Sequence, residues 1–432
     1  MSGAAQATRA CEPAATGREI GRFEAGDGPT LVVIGGVHGN EPAGIHAARR
    51  VLDCLHADPP GGFRGRLVVL AGNLAALAGP PGTRYVDRDL NRSFTDPLLT
   101  RTDPGCAECG QARELLAAVG AQARPGVAVF VMDLHTTSAP SPPVVVLEDS
   151  LRARAFARTL GVPMLLGFEE EVDGLLYDHL TRTLGCVACV VEGGQHDDAR
   201  SVDVLEGAVR VGLHACGVWP IAPGEPDPSA RLRAACGPRA GRVYDLRHRE
   251  PILDPSFAME GAINAHTIVR RGQVIGTQSG EPVRTPVGGQ VFLPNRQPVK
   301  RSGDDAFFIV REVSPGWLGL SARLRRSPWV RSVAAALPGV HRDADEPSLL
   351  LVDARIAAVL KRQVFHLLGY RLIRHGREHR GSPGHRLWEA LRGFARALFS
   401  RERPGGRDDP RYWIVARRTL DRLDDRVGGR EP

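Results

Sequence analysis

His38 and Glu41 stand three residues apart in the run Leu31-Val-Val-Ile-Gly-Gly-Val-His-Gly-Asn-Glu-Pro-Ala-Gly44, where an apolar stretch ends in two glycines and a helix is expected to start. One turn then carries a nitrogen donor and a carboxylate donor that can converge on a divalent metal. Zinc favours that mixture, and a catalytic zinc takes three protein ligands while keeping a further position for water. Alone, His-x-x-Glu at a solvated helix start is a weak signal. The flanking glycines strengthen it, because small residues let a metal and a substrate approach the backbone.

Other segments supply what the pair lacks. His135 ends the apolar run Val129-Phe-Val-Met-Asp-Leu-His-Thr-Thr137, two residues beyond Asp133 and on the same side of a strand. A lone His at a strand end is usually structural, but here it completes a His-Glu-His set that leaves zinc one open position. Asp133 is then a candidate acceptor for the ligand ring. Glu192 closes another apolar run, just before Gly193-Gly-Gln-His196. A carboxylate finishing a buried strand is costly unless it is solvated, paired or catalytic, and a general base needs that partly dry setting.

Between Thr83 and Phe94, Asp87, Asp89 and Asn91 interleave with apolar Val86 and Leu90. That pattern fits an irregular loop better than a helix striped with Arg84, Arg88 and Arg92. The Asn91-Arg92 pair suits a carboxylate, which a guanidinium grips through two parallel hydrogen bonds. Arg182, ten residues before Glu192, is a candidate second anionic anchor, although by itself it reads as an ordinary surface arginine.

These residues need a scaffold. Strand-like runs at Thr30–Ile34, Arg66–Ala71, Val127–Asp133, Pro143–Leu147 and Val187–Glu192 alternate with helix-like runs at Ala43–Leu55, Gln111–Gln122, Ser150–Leu160 and Ala199–Cys216. The alternation predicts an α/β layer fold with a largely parallel sheet over residues 20–235, whose ligands gather at the carboxyl ends of strands. From 241 to 315 the texture changes to short strands between Gly and Pro (Ala265–Arg270, Gln273–Gly276, Gly289–Leu293, Asp305–Arg311), as in a small all-β domain. Residues 346–432 read as a basic helical extension, with an amphipathic stripe through Leu387, Trp388, Leu391, Phe394 and Leu398 and a last helix-like segment near Tyr412. Residues 1–19 read as a disordered lead-in.

Composition narrows the classes. Hydrophobic content of 42% and charged content of 24% over 432 residues fit a globular protein of two or three domains. No apolar run is long enough to span a membrane, and the N-terminus lacks a signal-peptide pattern, so a cytoplasmic location is expected. Residues 346–432 hold 19 Lys+Arg against 11 Asp+Glu, a net +8 that leaves −1 for the rest, so the basic character belongs to the tail and says little about the substrate. Its arginines, interspersed with Trp388, Tyr412 and Trp413, suit an anionic membrane surface, a nucleic acid or a partner subunit, but a solvated helical hairpin is the preferred account. A homo-oligomer is left open. Eight cysteines in such a chain are expected to be free thiols. Cys186 and Cys189 fall on a strand and face opposite ways, whereas Cys106 and Cys109 sit in a Gly-rich loop where they could form half of a structural zinc site.

Taken together, Gly36-Val-His-Gly-Asn-Glu-Pro-Ala-Gly44, Arg84-Tyr-Val-Asp-Arg-Asp-Leu-Asn-Arg-Ser-Phe94, Asp133-Leu-His135 and Val191-Glu192 resemble the succinylglutamate desuccinylase/aspartoacylase family, of the zinc carboxypeptidase-like superfamily. The resemblance runs over roughly residues 28–310. It implies one zinc per chain held by His38, Glu41 and His135, with Glu192 as the base that activates a metal-bound water and then protonates the leaving amine. It further implies that Arg84 polarises the scissile carbonyl, that Asn91 and Arg92 hold an α-carboxylate, and that Arg182 binds a side-chain carboxylate. The implied activity is hydrolysis of the amide of an N-acyl amino acid or related N-acyl amine. Val274–Val291 looks like the barrel-sandwich module of biotinyl and lipoyl carriers, yet it has no lysine at a hairpin tip, which points to shaping a pocket or an interaction instead. A zinc carboxypeptidase acting on peptides, and a non-catalytic binding or scaffold protein of the same fold, are the alternative readings.

Overall fold

A computed structural model describes residues 17–101, 105–221 and 227–327, with 329–337, 339–343, 349–353, 364–374, 412–417 and 420–421. It divides into two compact units, one comprising the chain to Glu148 with Arg152–Glu312, the other Asp149–Leu151 with Val313 onward.

The first unit is built on strands β1 (Glu19–Ala25), β2 (Thr30–Gly35), β3 (Gly65–Ala71), β4 (Val129–Thr137), β5 (Val144–Leu147), β6 (Met164–Leu166), β7 (Val187–Gln195) and β8 (Val243–Pro251), followed by β9 (Ala258–Met259), β10 (Ile268–Val269), β11 (Val274–Gln278), β12 (Glu281–Arg284), β13 (Gly289–Phe292) and β14 (Asp305–Glu312). Eleven of them form one sheet in the order β1-β3-β2-β4-β7-β5-β6-β8-β14-β13-β10. Its centre, β3-β2-β4-β7, is parallel. These strands are apolar runs because a parallel strand is covered on both faces, and every residue of β2 and β3 is buried. The helices are α1 (Ala43–Ala57), α2 (Leu74–Leu77), α3 (Asp96–Leu99), α4 (Ala107–Gly120), α5 (Leu151–Leu160), α6 (Leu176–Leu184), α7 (Arg200–Ala215) and α8 (Ala230–Cys236). Small residues on the inner face of α1 let it lie close to the sheet: a Cβ added to Gly44 would sit 2.8 Å from Leu134 Cβ.

The β-rich stretch after residue 240 is present, and it shares its strands with the main sheet. β8, β14, β13 and β10 extend the large sheet, while β12-β11-β9 make a separate three-stranded one over a core that includes Ile252, Phe257, Ile275 and Phe307. The lead-in expected to be disordered lies outside the described residues up to 16, but its last residues are anchored. Arg18 is buried, donating to Ala71 O at 3.0 Å and to Gln111 Oε1 and Glu114 Oε2 at 2.8 Å, and Glu19 opens β1.

The second unit has α9 (Pro315–Arg326), α10 (Trp329–Ala336) and an antiparallel sheet of β15 (Val340–Arg342), β16 (Leu349–Asp353), β17 (Tyr370–Arg374) and β18 (Tyr412–Arg417) in the order β15-β16-β18-β17. The segment beginning near Tyr412 is therefore a strand, not the expected helix. Tyr412-Trp-Ile-Val415 is aromatic and β-branched, which favours a pleated surface, and it pairs on both sides. The Leu387–Leu398 stripe lies outside the described residues. Asp149 is buried within this unit and receives Arg325 Nη2 at 2.9 Å and Arg371 Nε at 3.0 Å, the pairing a buried carboxylate requires. No helix among the described residues is long and apolar enough to cross a membrane.

Candidate metal centre and its pocket

The three central parallel strands deliver the site from their carboxyl ends. Gly36, in a left-handed conformation with φ +71°, turns the chain out of β2. It brings His38 over the sheet edge, and Glu41 follows with its N–H on His38 O at 3.1 Å. His135 lies near the end of β4, and Glu192 is its register partner on the neighbouring β7.

One side-chain donor atom from each of His38, Glu41 and His135 lies within 4.8 Å of the others, and all three residues are buried. Glu41 sits between the two rings, with Oε1 at 2.9 Å from His38 Nδ1 and Oε2 at 3.0 Å from His135 Nδ1. Each ring's far nitrogen rests on an aspartate: His135 Nε2 at 2.9 Å from Asp133 Oδ2, and His38 Nε2 at 3.0 Å from Asp89 Oδ1. Such carboxylates fix the tautomer and the plane of an imidazole ligand. Asp133 thus takes the position expected of it. Asp89 was missed as a partner of His38, although its place in an interleaved acidic loop was the available signal.

Charge follows this geometry. Burial alone would raise the Glu41 carboxyl, but His38 and His135 hold it well below the usual carboxylate range. Burial opposes charge on His135, yet Asp133 and Glu41 carry its pKa well above the ordinary histidine value. Glu192 behaves oppositely. Burial, reinforced by the charge of Glu41 and opposed by His135, pushes its carboxyl up to about 8, and its Oε2 is buried without a partner among the described residues.

The Arg84–Arg92 segment is a loop with a single 3₁₀ turn at Leu90–Arg92. Arg84 donates to Glu41 Oε1 at 3.0 Å and to Asp89 Oδ2 at 3.2 Å. Asn91 is buried, and its Oδ1 accepts the Leu176 N–H at 2.9 Å. Arg92 is bonded to Asp305 Oδ2, while Arg249 takes the other oxygen of that aspartate. The loop is fastened from beneath by Glu108, which is fully buried in the first turn of α4. Its carboxylate accepts N–H groups from Val86 at 2.7 Å, Asp87 at 3.1 Å and Arg88 at 3.3 Å, and the Asn73 amide at 3.1 Å.

Two expectations are corrected here. Arg182 is not brought to the pocket. It is half exposed on α6 with its Nε 2.8 Å from Asp178 Oδ2 one turn back, because α6 buries its Leu176, Tyr177, Leu180 and Thr181 face instead. Tyr177 lines the pocket from that helix. Cys106 and Cys109 are neither free thiols nor half of a zinc site; they are joined in a disulfide that brackets Glu108.

His38, Glu41, Arg84, Asn91, Arg92, His135 and Glu192 all line one cavity of about 160 Å³. Its other wall is apolar, with Val146, Phe168, Leu175, Val190, Leu293 and Phe308, most of them continuous with the main core. Such a chamber can hold a metal through one carboxylate and two imidazoles, with an unpaired carboxylate alongside.

Residues 27–209 match the catalytic domain of the succinylglutamate desuccinylase/aspartoacylase family. Among curated relatives, a human N-acyl-aromatic-L-amino acid amidohydrolase (carboxylate-forming) is 40% identical over 113 residues, 25% of this chain and 34% of the relative. A probable aspartoacylase of Parasynechococcus marenigrum is 30% identical over 191 residues, 43% of this chain and 60% of the relative. The first of these alignments therefore spans about a third of the relative's length. The fold is that of a solved succinylglutamate desuccinylase from Vibrio cholerae, with a TM-score of 0.52 at 17% identity over 68% of this chain and 86% of that one. Residues 27–209 therefore carry a catalytic domain of the succinylglutamate desuccinylase/aspartoacylase type.

Proposed function

We propose that the protein is a zinc-dependent amidohydrolase that cleaves an N-acyl amino acid or a related N-acyl amine. The observation that carries this reading is the convergence of His38, Glu41 and His135 beside Glu192, whose Oε2 is buried without a partner among the described residues. The donor set fits zinc: two imidazole nitrogens, each ring oriented by an aspartate, and one carboxylate. When bound, zinc would supply Lewis acidity, lowering the pKa of a water and polarising the acyl oxygen.

The chain's own residues do the rest. Glu192 Oε2 takes a proton from the attacking water as the C–O bond forms, then passes it to the leaving nitrogen as the C–N bond breaks, giving a carboxylate and an amine. Its raised pKa suits both halves of that exchange. Arg84 lies beside Glu41 and offers positive charge to the acyl oxygen. Asn91 and Arg92 receive the substrate's carboxylate, with Arg92 held in place by Asp305. The apolar wall, and the outward position of Arg182, favour an apolar group over a second carboxylate on the rest of the substrate.

The test is metal analysis joined to a substrate panel. About one zinc per chain is expected, with hydrolysis of N-acyl amino acids that Glu192→Gln abolishes while keeping the metal. Protein that binds no zinc, or a Glu192→Gln variant as active as wild type, refutes the proposal. N-acetyl amino acids with apolar side chains should outpace N-acetylaspartate and N-succinylglutamate.

A further inference from the structure

We infer that His196 is a second substrate-contacting residue of this site, its Nε2–H aimed at the oxygen of the scissile carbonyl. The inference rests on the amidohydrolase reading above. His196 follows β7, four residues beyond Glu192, and lines the same cavity. Among the described residues lining that cavity, only Glu192 and His196 have a buried side-chain polar atom left without a protein partner. Buried polar atoms are almost always paired, so two without a partner, on residues lining one cavity, are candidates to meet what enters it.

The ring is held for this task from its other side. Its Nδ1 is 2.8 Å from Thr136 Oγ1, and its backbone N–H donates to Thr137 O at 2.9 Å. Thr136 in turn donates its own N–H to Glu41 Oε2 at 3.1 Å, so one residue ties the imidazole to the metal-binding carboxylate. We take the Thr136 hydroxyl as the donor to Nδ1, which places the ring proton on Nε2 and makes the open atom a donor. Glu192 can only accept when ionised, so the two open atoms are complementary: one takes the water's proton, the other gives a hydrogen bond to the oxygen that gains charge. A neutral donor keeps its proton throughout, and the proton balance of the hydrolysis is unchanged. Such a donor is needed because Arg84 already shares its charge with Glu41 and Asp89.

His266 offers a contrast. Its Nε2 is also unpartnered, but it packs against the rings of Tyr244 and Phe292 and lines no part of the cavity.

The experiment uses the zinc-loaded full chain, an N-acetyl amino acid that it hydrolyses, and a phosphinate mimic of the tetrahedral intermediate. His196→Ala should lower kcat by about 100-fold, the cost of losing one oxyanion donor. KM should stay within about threefold, zinc content should be unchanged, and the mimic should bind about 100-fold more weakly while the product amino acid binds as before. His196→Gln, which keeps an N–H donor, should recover roughly tenfold of that loss, and Thr136→Val should lose less than His196→Ala, about tenfold. A His196→Ala variant with kcat within threefold of wild type overturns the inference, as does a loss that follows zinc content or weakens mimic and product equally. A zinc-bound wild type that hydrolyses no N-acyl compound overturns the amidohydrolase reading and this inference together; an active wild type with unimpaired His196→Ala overturns this inference alone.

Discussion

The two halves of the site are built differently. His135 and Glu192 sit on adjacent parallel strands whose other residues are almost all buried, and His38 and Glu41 follow the third such strand directly. Hydrophobic packing of the sheet fixes them. Arg84, Asp89, Asn91 and Arg92 sit on a loop that has no strand to hold it, and polar cross-links from Glu108, Asp305 and the Leu176 N–H fix it instead. The proposed metal half thus draws on burial, while the proposed substrate half draws on hydrogen bonds that a single substitution can remove. On the proposed function, rigid placement of His38, Glu41 and His135 beside a separately fastened loop allows a substrate preference to change without disturbing a bound metal.

Asp133 and Asp89 test that comparison first, since each holds one imidazole from one half. Asp133→Asn and Asp89→Asn should each weaken zinc binding by about 10- to 100-fold, measured by competition with a chelator. Asp89→Asn should also raise KM, because Asp89 anchors Arg84 and the Asn91 N–H, whereas Asp133→Asn should leave KM within about twofold if the halves are separable. Equal KM effects would show that they are not.

Glu108→Gln strikes the loop alone. Losing a charged acceptor for three backbone N–H groups should cost about 2 kcal/mol of stability and raise KM about tenfold, with zinc content intact. Loss of zinc in this variant would contradict the division. A third check titrates the strand half. In the metal-free protein the Glu192 carboxyl stands at about 8 against an ordinary 4.5, so the folded state keeps a proton that the unfolded chain releases. Its contribution to stability is complete at low pH and is lost as the pH rises towards 8. Melting temperatures of metal-free wild type should therefore fall relative to Glu192→Gln between pH 5 and 8; parallel curves would contradict the buried carboxyl. The smallest effect belongs to Arg182→Ala, for which kcat/KM should stay within about twofold, as expected of an exposed helix pair.

The same division explains what could be read from the sequence. His38, Glu41, His135 and Glu192 were legible because each interrupts or ends an apolar run, and parallel strands announce themselves as such runs. The loop was legible as a loop, but its fasteners were not: Glu108 reaches Val86 across 22 residues, and no local pattern encodes that contact. Arg182 was misread because its offset from Glu192 says nothing about which face of α6 it occupies. The strand β8, Val-Tyr-Asp-Leu-Arg-His-Arg-Glu-Pro, escaped because its polar residues hide the period of two expected for a strand. The pairing of Cys106 with Cys109 runs against the free thiols expected from compartment, and the spacing alone does not say that the two sulfurs meet at the start of α4.

The most direct measurement is the rate of hydrolysis of an N-acetyl amino acid by wild type and Glu192→Gln at equal zinc content. The account predicts turnover by wild type that stops on chelation and returns with zinc, and a drop of at least about 1,000-fold in the variant. Equal rates at equal zinc would contradict it.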